Sequence, residues 1–358
     1  MPSFFARRLL RWHEKTIRPL PWTNGPRDPY HIWVSEIIMQ QTRIEQGAPY
    51  YHRFIAKFPT IESLAAAPLE TVLRAWEGLG YYTRARNMHK TAQCIAGEWN
   101  GHFPDSYEAL LKLPGIGPYS AAAISSFAYG LPHPVVDGNV KRLVSRFYGI
   151  KDAVDLPATH ELIRMKAAAA MKGTLPAAFN QAIMNFGALV CKPKNPLCHS
   201  CPLAENCYAY SHKLTAQIPV RSKKKVNTTR YFQFLILHYR NRIGFREQTD
   251  KDIWYGLFLP PRIETASIRK PRQAIFSKSL TQLLGHASWT YLTTTPQFRQ
   301  ILSHQTVLAK FHHITLSENP TKKSAGLKWV SAEKIKSLPK PKLILDWLRQ
   351  DPDVFPKP

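Results

Sequence analysis

Two carboxylates and a group of thiols are the side chains whose types and spacing carry chemistry. Glu36 interrupts an apolar helical stretch, with Ile32, Trp33 and Val34 before it and Ile37, Ile38 and Met39 after it. A carboxyl flanked so heavily by aliphatic groups has a raised pKa if buried, which suits a general acid. Asp137 stands in the run Val135-Val136-Asp137-Gly138-Asn139-Val140. Two carboxyls, one protonated and one ionised, are what glycosidic bond cleavage uses. Cys191, Cys198, Cys201 and Cys207 fall within seventeen residues, with six, two and five residues between them. Thiolates so close in sequence can converge on one metal centre. Disulfides are the alternative, rare outside secreted chains, and Cys198-x-x-Cys201 is also a zinc half-site. Lys192 and Lys194 lie in the longest gap, within reach of phosphates. Cys94, alone in a helical pattern, reads as a small buried hydrophobe.

The elements that must position these groups can be read in outline. Tyr107 to Leu113 reads as a short helix, and Pro118 suits the first position of another. The stretch Leu113-Pro114-Gly115-Ile116-Gly117-Pro118-Tyr119-Ser120 therefore joins two helices through a glycine hairpin. Gly115 and Gly117 carry no Cβ, so a partner can come close, and the following helix points free N–H groups outward, as a phosphate requires. Asp137-Gly138 forms a turn with Asn139 placed to cap the next helix, on which Lys141 and Arg142 follow. Upstream, Pro21-Trp22 and Asp28-Pro29 predict an extended, turn-rich segment. The pattern turns helical from His31, with Gln40 and Arg43 one and two turns along the face of Glu36. Residues 50–100 read as amphipathic helices separated by Pro59 and Pro68, enclosing Trp76-Glu77-Gly78-Leu79-Gly80-Tyr81-Tyr82-Thr83-Arg84-Ala85-Arg86. Residues 157–190 are helical again and end in Phe179-Asn180-Gln181-Ala182-Ile183-Met184-Asn185-Phe186-Gly187-Ala188.

Past residue 212 the pattern changes. Residues 213–229 form a basic linker with Pro219 and the run Arg221-Ser222-Lys223-Lys224-Lys225. Phe232, Phe234, Ile236 and His238 then alternate with Gln233, Leu235 and Leu237, a strand-like run rich in β formers. A chain of 358 residues has room for two cores, giving domains at 1–212 and 230–358. Its net charge of +25 points to a polyanion, and residues 213–358 hold 26 Lys and Arg against 9 Asp and Glu. No apolar run approaches a membrane span, and Met1 to Leu20 lacks a signal-peptide core, which fits a bacterial cytoplasm near the nucleoid.

Several of these stretches carry a family resemblance. The hairpin followed by Asp137 resembles the helix-hairpin-helix DNA glycosylases of the endonuclease III superfamily. Trp33-Val34-Ser35-Glu36-Ile37-Ile38-Met39-Gln40-Gln41-Thr42 closely resembles the catalytic helix of its adenine DNA glycosylases, the MutY family. The six-two-five cysteine spacing is similar to the superfamily's [4Fe–4S] loop, which implies a structural cluster held by Cys191, Cys198, Cys201 and Cys207. Trp254-Tyr255-Gly256-Leu257-Phe258-Leu259-Pro260 resembles the strand-turn of the Nudix-like domain that ends this family. The acidic Nudix box is missing, since residues 262–285 contain a single carboxylate, Glu264; a pyrophosphatase needing carboxylates for divalent metal is excluded. The implied fold is an all-α glycosylase domain followed by an α+β Nudix-like domain.

The resemblance also assigns roles. Glu36 is the catalytic acid, Asp137 stabilises the sugar cation, and Tyr119 and Asn139 orient the two carboxyls. Trp22, Met39 and Gln181 line an adenine pocket. Leu79 and Tyr81 form a wedge that helps flip the base. Gln41, Thr42, Arg43, Gly80, Tyr82, Arg84, Arg86, Gly115, Gly117, Ser120 and Lys141 contact DNA. Leu302-Ser303-His304 stands where the family usually has Phe-Ser-His, a loop that reads the oxidised guanine opposite the adenine; Leu302 departs from that pattern. Bifunctional members carry a lysine amine where this chain has Tyr119, so base hydrolysis without a lyase step is expected. The expected activity is removal of adenine mispaired with 8-oxoguanine or guanine in double-stranded DNA, by a monomer. The alternatives are an endonuclease III-like enzyme on oxidised pyrimidines and a non-catalytic iron–sulfur DNA-binding protein.

Overall fold

Capping chemistry places the helices of the first half. Ser3 caps α1 (Phe4–Glu14) through its hydroxyl, and Asp28 caps α2 (Pro29–Met39), which starts on a proline. Asp28-Pro29 therefore opens a helix instead of extending the segment before it. The structure, a computed structural model, describes residues 2–16, 28–222, 227–269, 273–285, 287–318 and 326–351, so Pro21 and Trp22 fall outside it. After α2 come α3 (Ile44–Lys57), α4 (Ile61–Ala66), α5 (Leu69–Ala75), α6 (Thr83–Glu98) and α7 (Tyr107–Leu111). Next follow α8 (Pro118–Tyr129), α9 (Gly138–Tyr148), α10 (Pro157–Met171), α11 (Pro176–Leu189) and the short α12 (Tyr208–Ser211). Gly130 and Gly149 end α8 and α9 at φ of 69° and 72°, the left-handed conformation that glycine adopts without strain. Helix α2 stops at Met39 because the polar Gln40-Gln41-Thr42 turn follows, with Gln41 at φ 60°. Arg43 is consequently the N-cap of α3 and does not continue the face of Glu36.

The contacts divide the chain into two units, residues 1–66 with 87–224, and residues 67–86 with 225–358. The first is all helical. Its core joins Phe5 and Leu9 of α1 to Ala122 and Ala123 of α8, Val140 and Leu143 of α9, and Phe179, Ile183 and Phe186 of α11. Cys94 on α6 is only partly buried.

The second unit is α/β around one mixed sheet, where α+β was expected. Its strands are β1 (Thr228–Tyr239), β2 (Arg242–Glu247), β3 (Phe258–Leu259), β4 (Arg262–Thr265), β5 (Trp289–Thr294), β6 (Phe298–Ile301), β7 (Gln305–Leu316) and β8 (Lys328–Val330). The order is β3-β2-β1-β7-β5, with β4 also on β1, β6 on β7 and β8 on β2. Strand β1 runs parallel to β7, from Thr228 opposite Gln305 to His238 opposite Thr315. Both faces of β1 are buried, which is why its two alternating sets are apolar. Leu235, Leu237, Ile314 and Leu316 pack under Phe276, Leu280 and Leu284 of α13 (Gln273–Leu284). On the other face Phe311 stacks on Trp347 at 4.7 Å. The tail after β8 holds two helices where one was expected, α14 (Ala332–Ser337) and α15 (Lys342–Gln350), broken at Pro339 and Pro341.

Residues 67–86, expected within the glycosylase domain, pack with this unit because their side chains are spent there. Tyr82 Oη donates to Lys340 O at 2.8 Å, and Lys340 Nζ meets Glu77 Oε2 at 3.1 Å. Among the described residues no helix is long and apolar enough to cross a membrane.

Candidate active site

Glu36 sits mid-way along α2, between the buried Val34, Ser35, Ile37 and Ile38. The hydroxyl of Tyr119, second residue of α8, donates to Glu36 Oε2 at 2.7 Å. Burial pushes the Glu36 carboxyl up to about 7; the Tyr119 bond opposes this and the Asp137 charge adds to it. Tyr119 is itself raised well above the usual phenol range, first by burial and then by the Glu36 and Asp137 charges. The three groups thus feel one another in one site.

Asp137 is the N-cap of α9; Asn139, expected in that role, lies inside the helix. Asp137 Oδ1 accepts from the Val140 N–H at 2.7 Å and Oδ2 from Asn139 Nδ2 at 2.9 Å. Burial raises its pKa, and these hydrogen bonds hold the ionised form against it. Asn139 therefore orients Asp137, while Tyr119 holds Glu36. Residues not singled out from the sequence fix this geometry. Asn180, fully buried, accepts from Val135 N at 3.1 Å and donates to the His133 carbonyl at 2.9 Å, which pins the segment entering Asp137. A Cβ on Gly187 would stand 2.8 Å from Asn139 Cβ, so α11 packs directly on the start of α9. Arg142 Nη2 donates to Asn139 Oδ1 at 2.9 Å and to Gly187 O at 2.6 Å, and its Nε to Cys191 O at 2.6 Å. The one signal for it was an arginine on the apolar face of an amphipathic helix.

Of the proposed pocket residues, Trp22 lies outside the described residues. Met39 packs where a Cβ on Gly47 would meet its Sδ. Gln181 lies on α11 three residues before Met184, whose Sδ accepts from the Tyr119 hydroxyl at 3.5 Å.

Cys191, Cys198, Cys201 and Cys207 are unpaired and line one cavity with Arg146, Phe186 and Leu203. Four soft sulfur donors facing one cavity suit a thiolate-held metal centre. Burial and the neighbouring thiols push Cys201 up to about 11, and a bound cation is what makes such thiols thiolates. Arg146, another residue with no local signal in the sequence, reaches Cys191 Sγ at 3.4 Å and Lys192 O at 2.7 Å. Lys192 and Lys194 are exposed on this loop.

The expected DNA contacts divide. Gln41, Arg43, Gly117 and Tyr81 are exposed, Tyr81 by 49%, and Gly115, also exposed, turns at φ 76° against Asn87. Thr42, Leu79 and Gly80 are half-buried, and Lys141 donates to the Val154 carbonyl. The Ser120 side chain is 2% exposed and accepts from Gln40, and Tyr82 is buried, so neither side chain is open to solvent. Arg84 donates to the carbonyls of Leu79 and Gly80 and stacks over Trp76 and Tyr81, bracing the loop from within. Arg86 bonds the Tyr255 carbonyl and lies over its ring. In the second unit, Leu302, Ser303 and His304 form the tip of the β6–β7 hairpin, and the Ser303 and Tyr81 hydroxyls lie 2.6 Å apart.

Residues 34–168 match the family described as HhH-GPD superfamily base excision DNA repair protein, and residues 191–207 match the iron-sulfur binding domain of endonuclease III. The chain is 39% identical over 266 residues to the adenine DNA glycosylase of Buchnera aphidicola subsp. Schizaphis graminum, covering 73% of this chain and 75% of that one. It is 41% identical over 215 residues to the adenine DNA glycosylase of Rattus norvegicus, covering 58% of this chain and 42% of that one. A thermostable thymine-DNA glycosylase is similar in structure, with a TM-score of 0.54 at 27% identity over 58% of this chain and 95% of that one. Endonuclease III in a non-covalent DNA complex shares the fold, with a TM-score of 0.51 at 23% identity over 59% of this chain and 95% of that one. The chain accordingly carries a [4Fe–4S] cluster, and the matched segment is the one that holds the four cysteines.

Proposed function

The chain belongs to the adenine DNA glycosylase family, and we propose that its target is adenine mispaired with 8-oxoguanine or guanine, removed by hydrolysis without strand cleavage. The observation that carries the reading is the Glu36 carboxyl, raised to about 7 and held by Tyr119 within reach of the Asp137 charge. At neutral pH a large share of such a carboxyl is protonated. With the base flipped into a pocket that includes Trp22, Met39 and Gln181, Glu36 gives its proton to adenine N7. The C1′–N9 bond then breaks with its electron pair leaving on the base. Asp137, kept ionised by Val140 N–H and Asn139, faces the sugar cation. Water attacks C1′ and passes its proton to Glu36. Tyr119 offers no amine, so no Schiff base forms from that position.

DNA would be held through the hairpin and the exposed polar residues around it. Among the described residues a Cβ on Gly117 would meet nothing within 4 Å and its φ is ordinary, so the bare backbone there leaves room for the proposed DNA contact. In the same unit Gln41, Thr42, Arg43 and Lys141 would add to this surface; in the other unit Leu79, Gly80 and Tyr81 would contact DNA, with Leu79 and Tyr81 as the wedge. The cluster keeps the loop of Lys192 and Lys194 in shape. The second unit is read as Nudix-like and non-hydrolytic: Glu264, the one carboxylate in its box region, is paired with Arg230 at 2.7 Å. Leu302, Ser303 and His304 would read the oxidised guanine.

Single-turnover cleavage of duplexes carrying adenine opposite 8-oxoguanine, guanine and thymine tests this, each assayed with and without alkali. Adenine loss from the first two alone, with breaks only after alkali, is expected. Breaks without alkali, or equal loss opposite thymine, would refute it.

A further inference from the structure

We propose that Asn185 sets which end of the Gln181 amide meets the base, acting as a positioning residue for the choice of adenine. The inference rests on the reading of Gln181 as part of the adenine pocket. The two residues are four apart on α11 and so meet on one face of the helix, where Gln181 Nε2 donates to Asn185 Oδ1 at 3.4 Å. Met184, on the same stretch, touches the Tyr119 hydroxyl that bonds Glu36. This part of α11 therefore borders the catalytic carboxyl.

Asn185 is 5% exposed, beside the fully buried Phe186, and its Nδ2 has no partner among the described residues. A buried amide donor left unbonded destabilises the fold, and an apolar residue of similar shape would not. What the amide supplies in return is an acceptor toward Gln181. With Nε2 turned to Asn185, Oε1 lies on the opposite edge of the Gln181 amide. An acceptor on that edge suits the N6 amine of adenine and opposes the O6 of hypoxanthine or guanine, because two acceptors cannot bond each other. Unheld, the amide turns about its terminal torsion and presents either edge. The bond to Asn185 removes that freedom, so discrimination between purines of equal size comes down to the direction of one hydrogen bond.

The test is single-turnover excision of adenine and of hypoxanthine, each opposite 8-oxoguanine, by the cluster-loaded full chain. Asn185→Leu should lower the adenine-to-hypoxanthine rate ratio about tenfold, the effect of removing one orienting bond. Asn185→Asp, which can only accept, should leave the ratio where it was. An unchanged ratio in Asn185→Leu overturns the proposal. A fallen or inverted ratio in Asn185→Asp also does, since it would mean that Asn185 normally donates. The second variant decides alone if the first does not fold. Gln181→Leu separates the two readings. If it lowers the ratio while Asn185→Leu does not, the pocket stands and the positioning role fails; if it too leaves the ratio unchanged, Gln181 does not read the base and both fall.

Discussion

Glu36 carries opposite consequences for activity and for stability. In its proposed role of acid it must hold its proton, so the rate should fall as pH rises through about 7. An acid limb is expected from Asp137, whose pKa burial raises above that of a free aspartate. Tyr119→Phe removes a bond that favours ionised Glu36, so the alkaline limb of the excision rate should move to higher pH; a limb that stays put would show that Tyr119 does not act on this carboxyl. For stability the sign is fixed by the same shift. Between the unfolded value of 4.5 and the folded value near 7 the native state keeps a proton that the unfolded chain has lost, so stability falls as pH rises. The full cost is about 3 kcal/mol. Glu36→Gln should therefore abolish excision, keep mismatch binding, and melt higher than the unsubstituted protein at pH 8 but not near pH 4.5. Equal melting at both pH values would mean that Glu36 is solvated. Both carboxyls and all four thiols were legible in the sequence, since apolar flanks and cysteine spacing are local signals. Asn180 and Asn185 were not, because their significance is a partner some 45 residues away or an orphaned amide, and neither leaves a local pattern; Arg142 left only an arginine on an apolar helix face.

At the scale of elements, the hairpin was readable because proline and glycine report backbone conformation directly. What could not be read is that its two glycines serve different ends. Gly115 turns at φ 76° with Asn87 where a Cβ would go, whereas Gly117 has an ordinary φ and open space. Gly115→Ala should cost roughly 1–3 kcal/mol by strain and clash, seen as a lower melting temperature. Gly117→Ala should melt as the parent does and bind duplex DNA more weakly. The reverse pattern in melting and binding would show that the hairpin is not the DNA-facing turn. The cap of α9 shows how far element reading goes: a carboxylate before glycine and asparagine marks a helix start, but Asp137 and Asn139 both cap well, and the bond from the Val140 N–H to Asp137 is what identifies the cap. The end of α2 was missed for a related reason. The apolar pattern around Glu36 runs into Gln40-Gln41-Thr42, which no proline or glycine punctuates, and the left-handed Gln41 that breaks it has no spelling in sequence.

At the scale of the molecule, charge and recognition are divided between segments that sequence order alone does not join. Residues 67–86 group with residues 225–358, so the stretch read as a wedge and the hairpin tip read as a lesion probe share one unit, with Tyr81 and Ser303 within hydrogen-bond distance. Pairing of segments more than two hundred residues apart is invisible to periodicity. It has a consequence for DNA binding that can be measured. Lysines that meet phosphates add affinity with little regard to sequence, while groups on a base edge add discrimination with little regard to salt. Lys192→Ala with Lys194→Ala, on the cluster loop, should therefore weaken binding alike to 8-oxoguanine and guanine mispairs and flatten the salt dependence by about 0.9 in log–log slope for each phosphate no longer neutralised. Ser303→Ala with His304→Ala should leave that slope alone and bring the two mispairs closer in rate. With Leu302 in place of an aromatic, position 302 adds no stacking ring to the hydrogen bonding of Ser303 and His304, so the drop in preference should be large. Should the tip variant change the slope and spare the preference, the hairpin would be a phosphate clamp, and the reading of the opposite base would have to come from elsewhere in the chain.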